Sequence, residues 1–404
     1  MIATSPDGVR RFDVVVAGRG VVGLAAALAL ARQSMRVALV GPALPPQAIE
    51  LPAHDDDWDS RIFALSPASR ALLRRLRAWE ALPAARVAPV YDMRVFDGAG
   101  APLHFGAYDS GVEALAWIVE NRALVRALEP ALGYADVTVL EATIESVRIE
   151  AAAARVELSD GSALSCALLV GADGARSTVR TQCGLATEPV PYDQTAVVAN
   201  FRVSRPHLDT AYQWFGAAGV LALLPLPPDA AGRFRASMVW SVSHDRAAEL
   251  AVLDGRALAA RVAEAAAGLP GEMETITPAQ CHPLQRMALA RTTAPRVVLV
   301  GDAAHLIHPL AGQGMNVGLG DVAELAQVLA GREPGRDPGD ALLLRRYGRG
   351  RREAVDAMRL VTDGLHRLYY RDVPAPLAWA RDIGWRLLEH SGPLKRRLIG
   401  QAMR

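Results

Sequence analysis

The chain has 404 residues, which is enough for two domains and a sizeable core. Its 44 basic and 43 acidic residues nearly cancel and 51% of its residues are hydrophobic, which excludes a polybasic nucleic-acid-binding protein and a disordered chain. The longest apolar run, residues 14–31, is interrupted by Arg19 and by glycines, so neither a membrane span nor an export signal is predicted. The three cysteines lack paired spacing, so we expect no disulfide framework and no metal site. A globular, cytoplasmic protein is predicted.

A strand followed by a glycine-rich turn opens the chain. Residues 12–17 are mostly apolar, and Gly18, Gly20 and Gly23 follow with the spacing GxGxxG before a helical pattern. These glycines allow a tight turn, close approach of a pyrophosphate and close packing of helix on strand, so they predict a dinucleotide site. The acid that usually ends the next strand and binds a ribose is missing, because Gly41 stands there.

Several arginines follow a proline-rich loop that is predicted over residues 41–59. The acidic run 55–57 is interpreted as a solvated part of that loop, and the arginines of a helix predicted over 67–79 as a solvated face. Arg61, at the edge of the loop, is the better candidate for a contact with phosphate or flavin. The segment 117–122 is predicted to open a helix, where Arg122 could bind pyrophosphate oxygens or form a surface ion pair with a nearby carboxylate such as Glu120 or Glu129.

Two later strands end in the same way as the first. The apolar run 168–170 leads through a glycine to Asp173 and Gly174, and the run 297–300 leads through a glycine to Asp302. Open α/β sheets bind ligands at the carboxyl ends of their strands. Asp302 suits sugar hydroxyls, because a carboxylate accepts hydrogen bonds and repels phosphate. The turn at Asp173–Gly174 either closes the site around the second half of a dinucleotide or is a plain glycine turn.

A segment rich in candidate residues follows Asp302 and leads into a helix predicted over 317–330. Its glycines remove side chains before the helix, so free backbone NH groups could hold an anionic ring. His308 could relay a proton, since imidazole titrates near neutral pH, or make a structural hydrogen bond at the helix entry. The candidates in this segment are His308, Pro309, Gly312, Gly314, Met315 and Asn316.

The rest of the chain differs in pattern. Short strands with proline breaks between about 187 and 283 predict a mostly antiparallel sheet that roofs a pocket. Residues 342–404 are predicted to be helical after a Gly/Pro linker. The last stretch, 377–397, has a basic amphipathic composition, which fits docking against the protein body or contact with a membrane.

Taken together, these motifs resemble the class A FAD-dependent aromatic monooxygenases, and more closely their ubiquinone-biosynthesis hydroxylase group. The resemblance extends over nearly the whole chain and is carried by residues 18–23, 117–122, 171–174, 223–226, 239–241 and 301–316. We therefore predict an α/β fold with a Rossmann-like FAD-binding domain, a mostly antiparallel β-sheet substrate domain and a C-terminal helical region. Their predicted bounds are 11–75, 108–186 and 288–331 for the first, 76–107 and 187–287 for the second, and 340–404 for the third.

The resemblance implies FAD along the first glycine turn, with Arg122 near its pyrophosphate and Asp302 on its ribitol hydroxyls. It implies that Asp173–Gly174 serves both FAD and the passing nicotinamide nucleotide. In this family NAD(P)H reduces the flavin, O2 adds to form a C4a-hydroperoxide, and the distal oxygen attacks an electron-rich phenol ring. Backbone NH groups of Gly314–Asn316 would stabilise charge at the N1 and C2 edge of the flavin, and Pro309 would line its oxygen-reactive face.

The substrate class follows only from the resemblance, and three hypotheses stay open. The first is hydroxylation of a polyprenylated phenol or quinone precursor by an enzyme that contacts the membrane peripherally and assembles with other biosynthetic proteins. The second is hydroxylation of a small soluble aromatic acid. The third is a flavin-binding scaffold of a biosynthetic complex that does not turn over.

Overall fold

The computed structural model describes residues 9–46, 56–97, 102–216, 219–307 and 313–370. Its strands form an eight-stranded, a nine-stranded and a three-stranded sheet. The strands are β1 (Arg10–Ala17), β2 (Val37–Gly41), β3 (Ile62–Leu65), β4 (Val87–Val90), β5 (Asp92–Phe96), β6 (Leu103–Gly106), β7 (Ala116–Glu120), β8 (Thr138–Glu141), β9 (Ile144–Ile149), β10 (Ala154–Leu158), β11 (Ala163–Gly171), β12 (Val190–Val203), β13 (Thr210–Gly216), β14 (Gly219–Leu226), β15 (Phe234–Ser243), β16 (Met273–Thr275), β17 (Gln280–Ala288), β18 (Thr293–Ala294), β19 (Val297–Leu299) and β20 (His305–Leu306). The helices are α1 (Val21–Ala31), α2 (Pro67–Arg75), α3 (Ala107–Ser110), α4 (Asn121–Tyr134), α5 (Thr178–Gln182), α6 (His244–Ala251), α7 (Gly255–Ala265), α8 (Gly314–Ala330) and α9 (Ala341–Tyr370).

The eight-stranded sheet brings the predicted strand ends to one edge. Its path is β18-β19-β11-β1-β2-β8, and the five strands from β19 to β8 are parallel. Ala17 at the end of β1 pairs with Gly171 on one side and Val40 on the other. These strands are almost wholly apolar because both faces of the sheet are covered by apolar residues. Helix α1, buried nearly all round, packs between the sheet and helices α4 and α8.

The nine-stranded sheet follows the path β20-β17-β12-β15-β14-β13-β5-β6, with β16 attached to β12. All its pairings are antiparallel except that of β13 with β5. Leu221, Leu223 and Trp240 lie in its buried core with α6 and α7, so they support packing. The three-stranded sheet β3-β7-β4 packs against β13 and β14 through Ile118, Ala211 and other apolar residues.

The predicted α/β class, the antiparallel second sheet and the helical region after residue 340 are confirmed within the described ranges. The domain bounds stay a prediction. Two element assignments were wrong. Residues 117–120 form a strand, and the helix begins at Asn121, because this apolar run is the central strand of its sheet. Helix α2 ends at Arg75, not at Trp79, since Arg77 adopts a left-handed backbone with φ 59°.

Helix α9 docks on the rest of the protein. Leu343, Leu344 and Tyr347 are buried, and the Tyr347 hydroxyl donates to the carbonyl of Leu299 over 3.0 Å. Among the helices of the described ranges, none combines the length and the apolar character that crossing a bilayer requires. The predicted amphipathic stretch 377–397 lies outside the described residues.

Candidate active site

The turn after β1 requires two of its three glycines for packing. A Cβ on Gly18, where φ is +109°, would lie 2.2 Å from the carbonyl oxygen of Ala172, and one on Gly23 would lie 1.9 Å from the oxygen of Gly18. A Cβ on Gly20 would meet nothing within 4 Å. Gly20 also caps α1 without a side-chain hydrogen bond. The first-turn amides of α1 therefore face open space, where a phosphate group fits.

The other two turns lie beside the first one. Gly301 has φ +61°, and its Cβ would be 3.2 Å from the side chain of Val22 in α1. Arg180 joins the turns after β11 and β19, because its guanidinium donates to the carbonyls of Ala175 over 2.6 Å and Ala303 over 3.1 Å. Three bends that are far apart along the chain thus share one edge of the parallel sheet.

Asp302 lies within electrostatic range of Arg61. Asp302 is open to solvent, yet it lies among enough protein atoms that desolvation raises its pKa, while the charges of His305 and Arg61 oppose the rise. Within the described residues, the Asp302 side chain makes no hydrogen bond. Its carboxylate is therefore available to accept bonds from a ligand's hydroxyl groups.

Asp173 has a local structural role. It accepts hydrogen bonds from the Ser177 hydroxyl at 2.5 Å and from the Val179 amide at 3.1 Å, at the start of α5. Gly174 has φ +78°, and a Cβ there would meet nothing within 4 Å. The open surface of this turn therefore lies at Gly174, and the contact of the two residues with nucleotides stays a prediction.

Arg122 forms an ion pair, which was one of the two predicted roles of its guanidinium. Its guanidinium donates to Asp57 Oδ1 over 2.9 Å and to the Asp57 carbonyl, and it lies 3.7 Å from Glu120. Of the acidic run that was interpreted as solvated, Asp55 lies outside the described residues, whereas Asp56 pairs with Arg202 and Asp57 with Arg122 while both side chains stay partly exposed. Sequence alone could not reveal these distant partners. A contact of Arg122 with pyrophosphate stays a prediction.

A polar cluster where the sheets meet was missed from the sequence. Asp59 accepts a hydrogen bond from the Arg61 amide over 2.9 Å, and its carbonyl accepts one from Asn200 over 3.1 Å. Burial and the charge of Arg61 lower the pKa of His282 on β17, while Asp59 opposes the shift. No local pattern marks His282, because the fold alone brings β17 to Arg61.

Within the described residues, the amides in the first turn of helix α8 have no hydrogen-bond acceptor. Gln313 caps it without a side-chain hydrogen bond, and a Cβ on Gly314 would meet nothing within 4 Å. Met315 is half-buried and packs against the main core. Amides in the first turn of a helix have no partner within the helix, so this end favours a negatively charged group. His308, Pro309 and Gly312 lie outside the described residues.

Asn316 holds the start of α8 against α2 and β3. Its side chain is buried, and its oxygen and nitrogen each make two hydrogen bonds of 2.8–3.0 Å. The partners are the Ser66 amide, the Ser69 hydroxyl, the Ala64 carbonyl and the Gln313 side chain. The side chain is thus committed to protein groups, which leaves only the backbone of Asn316 for a ligand.

A buried charge network stands directly behind Asp302. His305 Nε2 lies 2.7 Å from Asp321 Oδ2, and Asp321 also accepts bonds from the Gly301 amide at 2.9 Å and Arg351 at 2.6 Å. Burial opposes both charges, but the pair outweighs it, so the pKa of His305 is raised and that of Asp321 is lowered. The network fixes the Gly301 turn to α8 and α9.

Comparison with known proteins decides the family. A family model described as an FAD binding domain matches residues 122–361. The ubiquinone hydroxylase UbiL of Rhodospirillum rubrum is 35% identical over 97% of this chain and 89% of its own length. The 3-demethoxyubiquinol 3-hydroxylase of Escherichia coli is 32% identical over 97% of this chain and 98% of its own length. The chain belongs to the FAD-dependent monooxygenases.

Solved structures agree with this monooxygenase fold. PqsL of Pseudomonas aeruginosa, solved with 2-aminobenzoylacetate, has a TM-score of 0.70 and 26% identity over 89% of this chain and 96% of its own. The p-nitrophenol 4-monooxygenase PnpA of Pseudomonas putida has a TM-score of 0.75 over 97% of this chain and 98% of its own, and at 19% identity it supports the fold alone.

The residues of this monooxygenase fit FAD. The open space at Gly20 and Gly314 leaves two helix starts accessible, and a Cβ at either position would project into that space. Asp302, which follows β19 at the same edge of the sheet as the turn after β1, offers a carboxylate to which no described residue donates a hydrogen bond. An extended cofactor with a pyrophosphate, a polyol and an electronegative ring requires this set of partners.

Proposed function

We propose that this monooxygenase hydroxylates the aromatic ring of a polyprenylated phenol or quinone precursor in ubiquinone biosynthesis, with NAD(P)H and O2 as co-substrates. The observation that carries the proposal is the similarity over 97% of the chain to two hydroxylases named for ubiquinone and demethoxyubiquinol. Bound FAD supplies the redox chemistry, taking electrons from NAD(P)H and activating O2. The protein has to hold the cofactor, admit the ring and exclude water.

Each end of the cofactor site has a distinct task. The amides at the start of α1, beside Gly20, hold the pyrophosphate, assisted by Arg122. Asp302 accepts hydrogen bonds from the polyol, and the amides from Gly314 to Asn316 hold the electronegative edge of the ring system. These tasks are supported by the open space at both helix starts and by the solvent-exposed Asp302 carboxylate.

Two histidines are candidates to accept the proton of the substrate phenol. His308 precedes α8, and His282 lies beside Arg61. Burial and the charge of Arg61 lower the pKa of His282, which favours the neutral imidazole that a proton acceptor requires. Pro309 is proposed to line the face of the flavin that reacts with oxygen.

A lipid-tailed substrate would be taken from a membrane, so we propose a cytoplasmic enzyme that contacts the inner membrane peripherally and assembles with other biosynthetic proteins. In support, α9 borders a cleft of about 660 Å³ with Arg345, Arg349 and Arg352 in its lining. Leu360, on the same helix, is 76% exposed. Arginines beside exposed apolar residues suit an anionic lipid surface.

Turnover with purified protein tests the proposal. FAD-loaded enzyme is mixed with NADPH or NADH and with short-chain prenylated phenols or small aromatic acids, and products are identified by mass spectrometry. We expect oxidation of the nicotinamide nucleotide to be coupled to one added oxygen atom only with prenylated rings. Coupled hydroxylation of the acids alone would contradict the assignment.

The second candidate, hydroxylation of a small aromatic acid, has one observation in its favour. PqsL, 26% identical, was solved with the small carboxylate 2-aminobenzoylacetate. The same assay separates the two candidates, since only the lipid-tailed reaction should be accelerated by vesicles that carry the substrate. Protein that binds FAD but hydroxylates neither class would favour the scaffold hypothesis.

A further inference from the structure

The missing acid at the end of β2 has a structural cause. In dinucleotide-binding folds this acid binds a ribose hydroxyl, but here Gly41 stands at the position. A Cβ on Gly41 would lie 2.8 Å from Cγ of Arg19 and 3.0 Å from its backbone nitrogen. The side chain of Arg19, from within the glycine turn, therefore covers the end of β2. Arg19 within the glycine turn and Gly41 at the end of β2, the two departures from the usual fingerprint, therefore depend on each other.

Arg19 brings two carboxylates to this corner of the sheet. Its guanidinium donates to Glu129 over 2.5 Å and to Glu141 over 2.9 Å. Arg19 is only 7% exposed, and burial works against its charge, but the bonds to Glu141 and Glu129 outweigh this and raise its pKa. Two acids around one cation leave a net negative charge, where the usual fold also has a carboxylate.

The two carboxylates differ in what they can reach. Glu141 ends β8 and is the register partner of Gly41, so it stands at the same edge one strand further out. Its side chain is 61% exposed, and Arg19 engages one of its oxygens. Glu129 comes from α4, its side chain is 21% exposed, and its second oxygen is buried. Of these two acids, Glu141 is the one that presents an accessible oxygen at the end of a strand next to Gly41.

We propose that Glu141, held in place by Arg19, binds the 2′-hydroxyl of the adenosine ribose of FAD. Arg19 is then a positioning residue for Glu141. The proposal rests on FAD being the cofactor and not on the identity of the aromatic substrate. It assigns to the end of β8 a contact that the end of the strand equivalent to β2 makes in other dinucleotide-binding folds.

Affinity for two nucleotides tests this assignment. Dissociation constants are measured by flavin fluorescence for FAD and for FAD whose adenosine lacks the 2′-hydroxyl, using the wild type, Glu141→Ala and Glu129→Ala. We expect the wild type to bind FAD about ten- to a hundred-fold tighter than the analogue, which is the usual value of a hydrogen bond to a charged group. In Glu141→Ala this preference should disappear, because only FAD binding weakens.

Glu129→Ala is the matched control, because it also removes one carboxylate from Arg19. It should keep the preference for FAD over the analogue, and circular dichroism should show that both variants fold. Equal wild-type affinity for the two nucleotides, or a Glu141→Ala variant that weakens both equally, would overturn the proposal. A folded wild type that binds neither nucleotide would instead refute FAD as the cofactor. Loss of hydroxylation with the nucleotide preference intact would affect the proposed function alone.

A rebuilt fingerprint gives a second measurement. The triple variant Arg19→Ala, Gly41→Glu, Glu141→Ala removes the covering side chain and returns an acid to β2. We expect it to recover the discrimination against the 2′-deoxy analogue that Glu141→Ala lacks. Recovery would show that an acid on β2 and Glu141 on β8 reach the same ribose hydroxyl. A folded triple variant that binds FAD and the 2′-deoxy analogue equally well would count against this.

Discussion

The turn after β1 and the start of α8 are both rich in glycine, but for different reasons. In the first region, Gly18 and Gly23 are pressed against the backbone, because a methyl carbon added at either would lie only 2.2 or 1.9 Å from a carbonyl oxygen. In the second, a methyl carbon on Gly314 would have no neighbour within 4 Å, and the precise position of the helix depends on the side chain of Asn316. The fold itself requires the first glycines, whereas it leaves room for a side chain at Gly314, where we propose that the flavin binds.

Gly23→Ala should have the largest effect. The added methyl would lie 1.9 Å from the Gly18 oxygen, and since both are held by the backbone, β1 and α1 must separate. We expect unfolding free energy to fall by about 3 kcal/mol or more, measured by urea denaturation. Gly20→Ala is the control, because it meets nothing within 4 Å and should cost at most about 1 kcal/mol while weakening FAD binding. Equal destabilisation by both would remove the contrast.

Asn316→Ala should be the next most severe. It removes four hydrogen bonds and leaves the Ser66 amide, the Ser69 hydroxyl and the Ala64 carbonyl without this partner in a buried place. We expect a loss of about 2–4 kcal/mol in unfolding free energy. Among the described contacts, Gln313→Ala removes only the bond to Asn316 and should cost about 1 kcal/mol or less. A loss of flavin affinity without destabilisation would mean that the side chain binds ligand instead.

The contrast between the two regions also explains what the sequence could predict. The turns at Gly18, Asp173 and Asp302 were recognisable because a glycine directly follows a strand in each, and in the last two an acid follows the glycine closely. The partners of Asp57 and the position of His282 depend on pairings between remote segments, which no local pattern encodes. The strand at Trp117–Glu120 was mistaken for a helix start because a short, continuously apolar run fits either element. Gly41 marked an absent acid, but only the packing showed that Arg19 covers its place.

The network behind Asp302 should make stability depend on pH. The pKa of His305 is raised above its ordinary value of 6.5, so the charged pair with Asp321 contributes fully below pH 6.5 and is lost as pH rises through the folded-state pKa. We expect His305→Asn to cost about 1–3 kcal/mol at pH 6 and progressively less at higher pH, measured by urea unfolding. The lowered pKa of Asp321 adds a loss of stability in acid, as pH falls below its ordinary value of 3.8. A cost that is the same from pH 6 to pH 10 would mean that His305 is neutral in the fold.

Gly314→Ala should change stability least and test the ligand role most directly. Gly314 is helical and its Cβ has free space, so alanine should stabilise α8 by up to about 1 kcal/mol. The same methyl would project into the space proposed for the flavin, so FAD affinity by fluorescence titration should fall. Gly348→Ala in α9 is the matched control, because it too meets nothing within 4 Å and should stabilise its helix without changing FAD affinity. If Gly314→Ala binds FAD as tightly as Gly348→Ala does, the start of α8 does not approach the flavin, and its glycine serves no ligand.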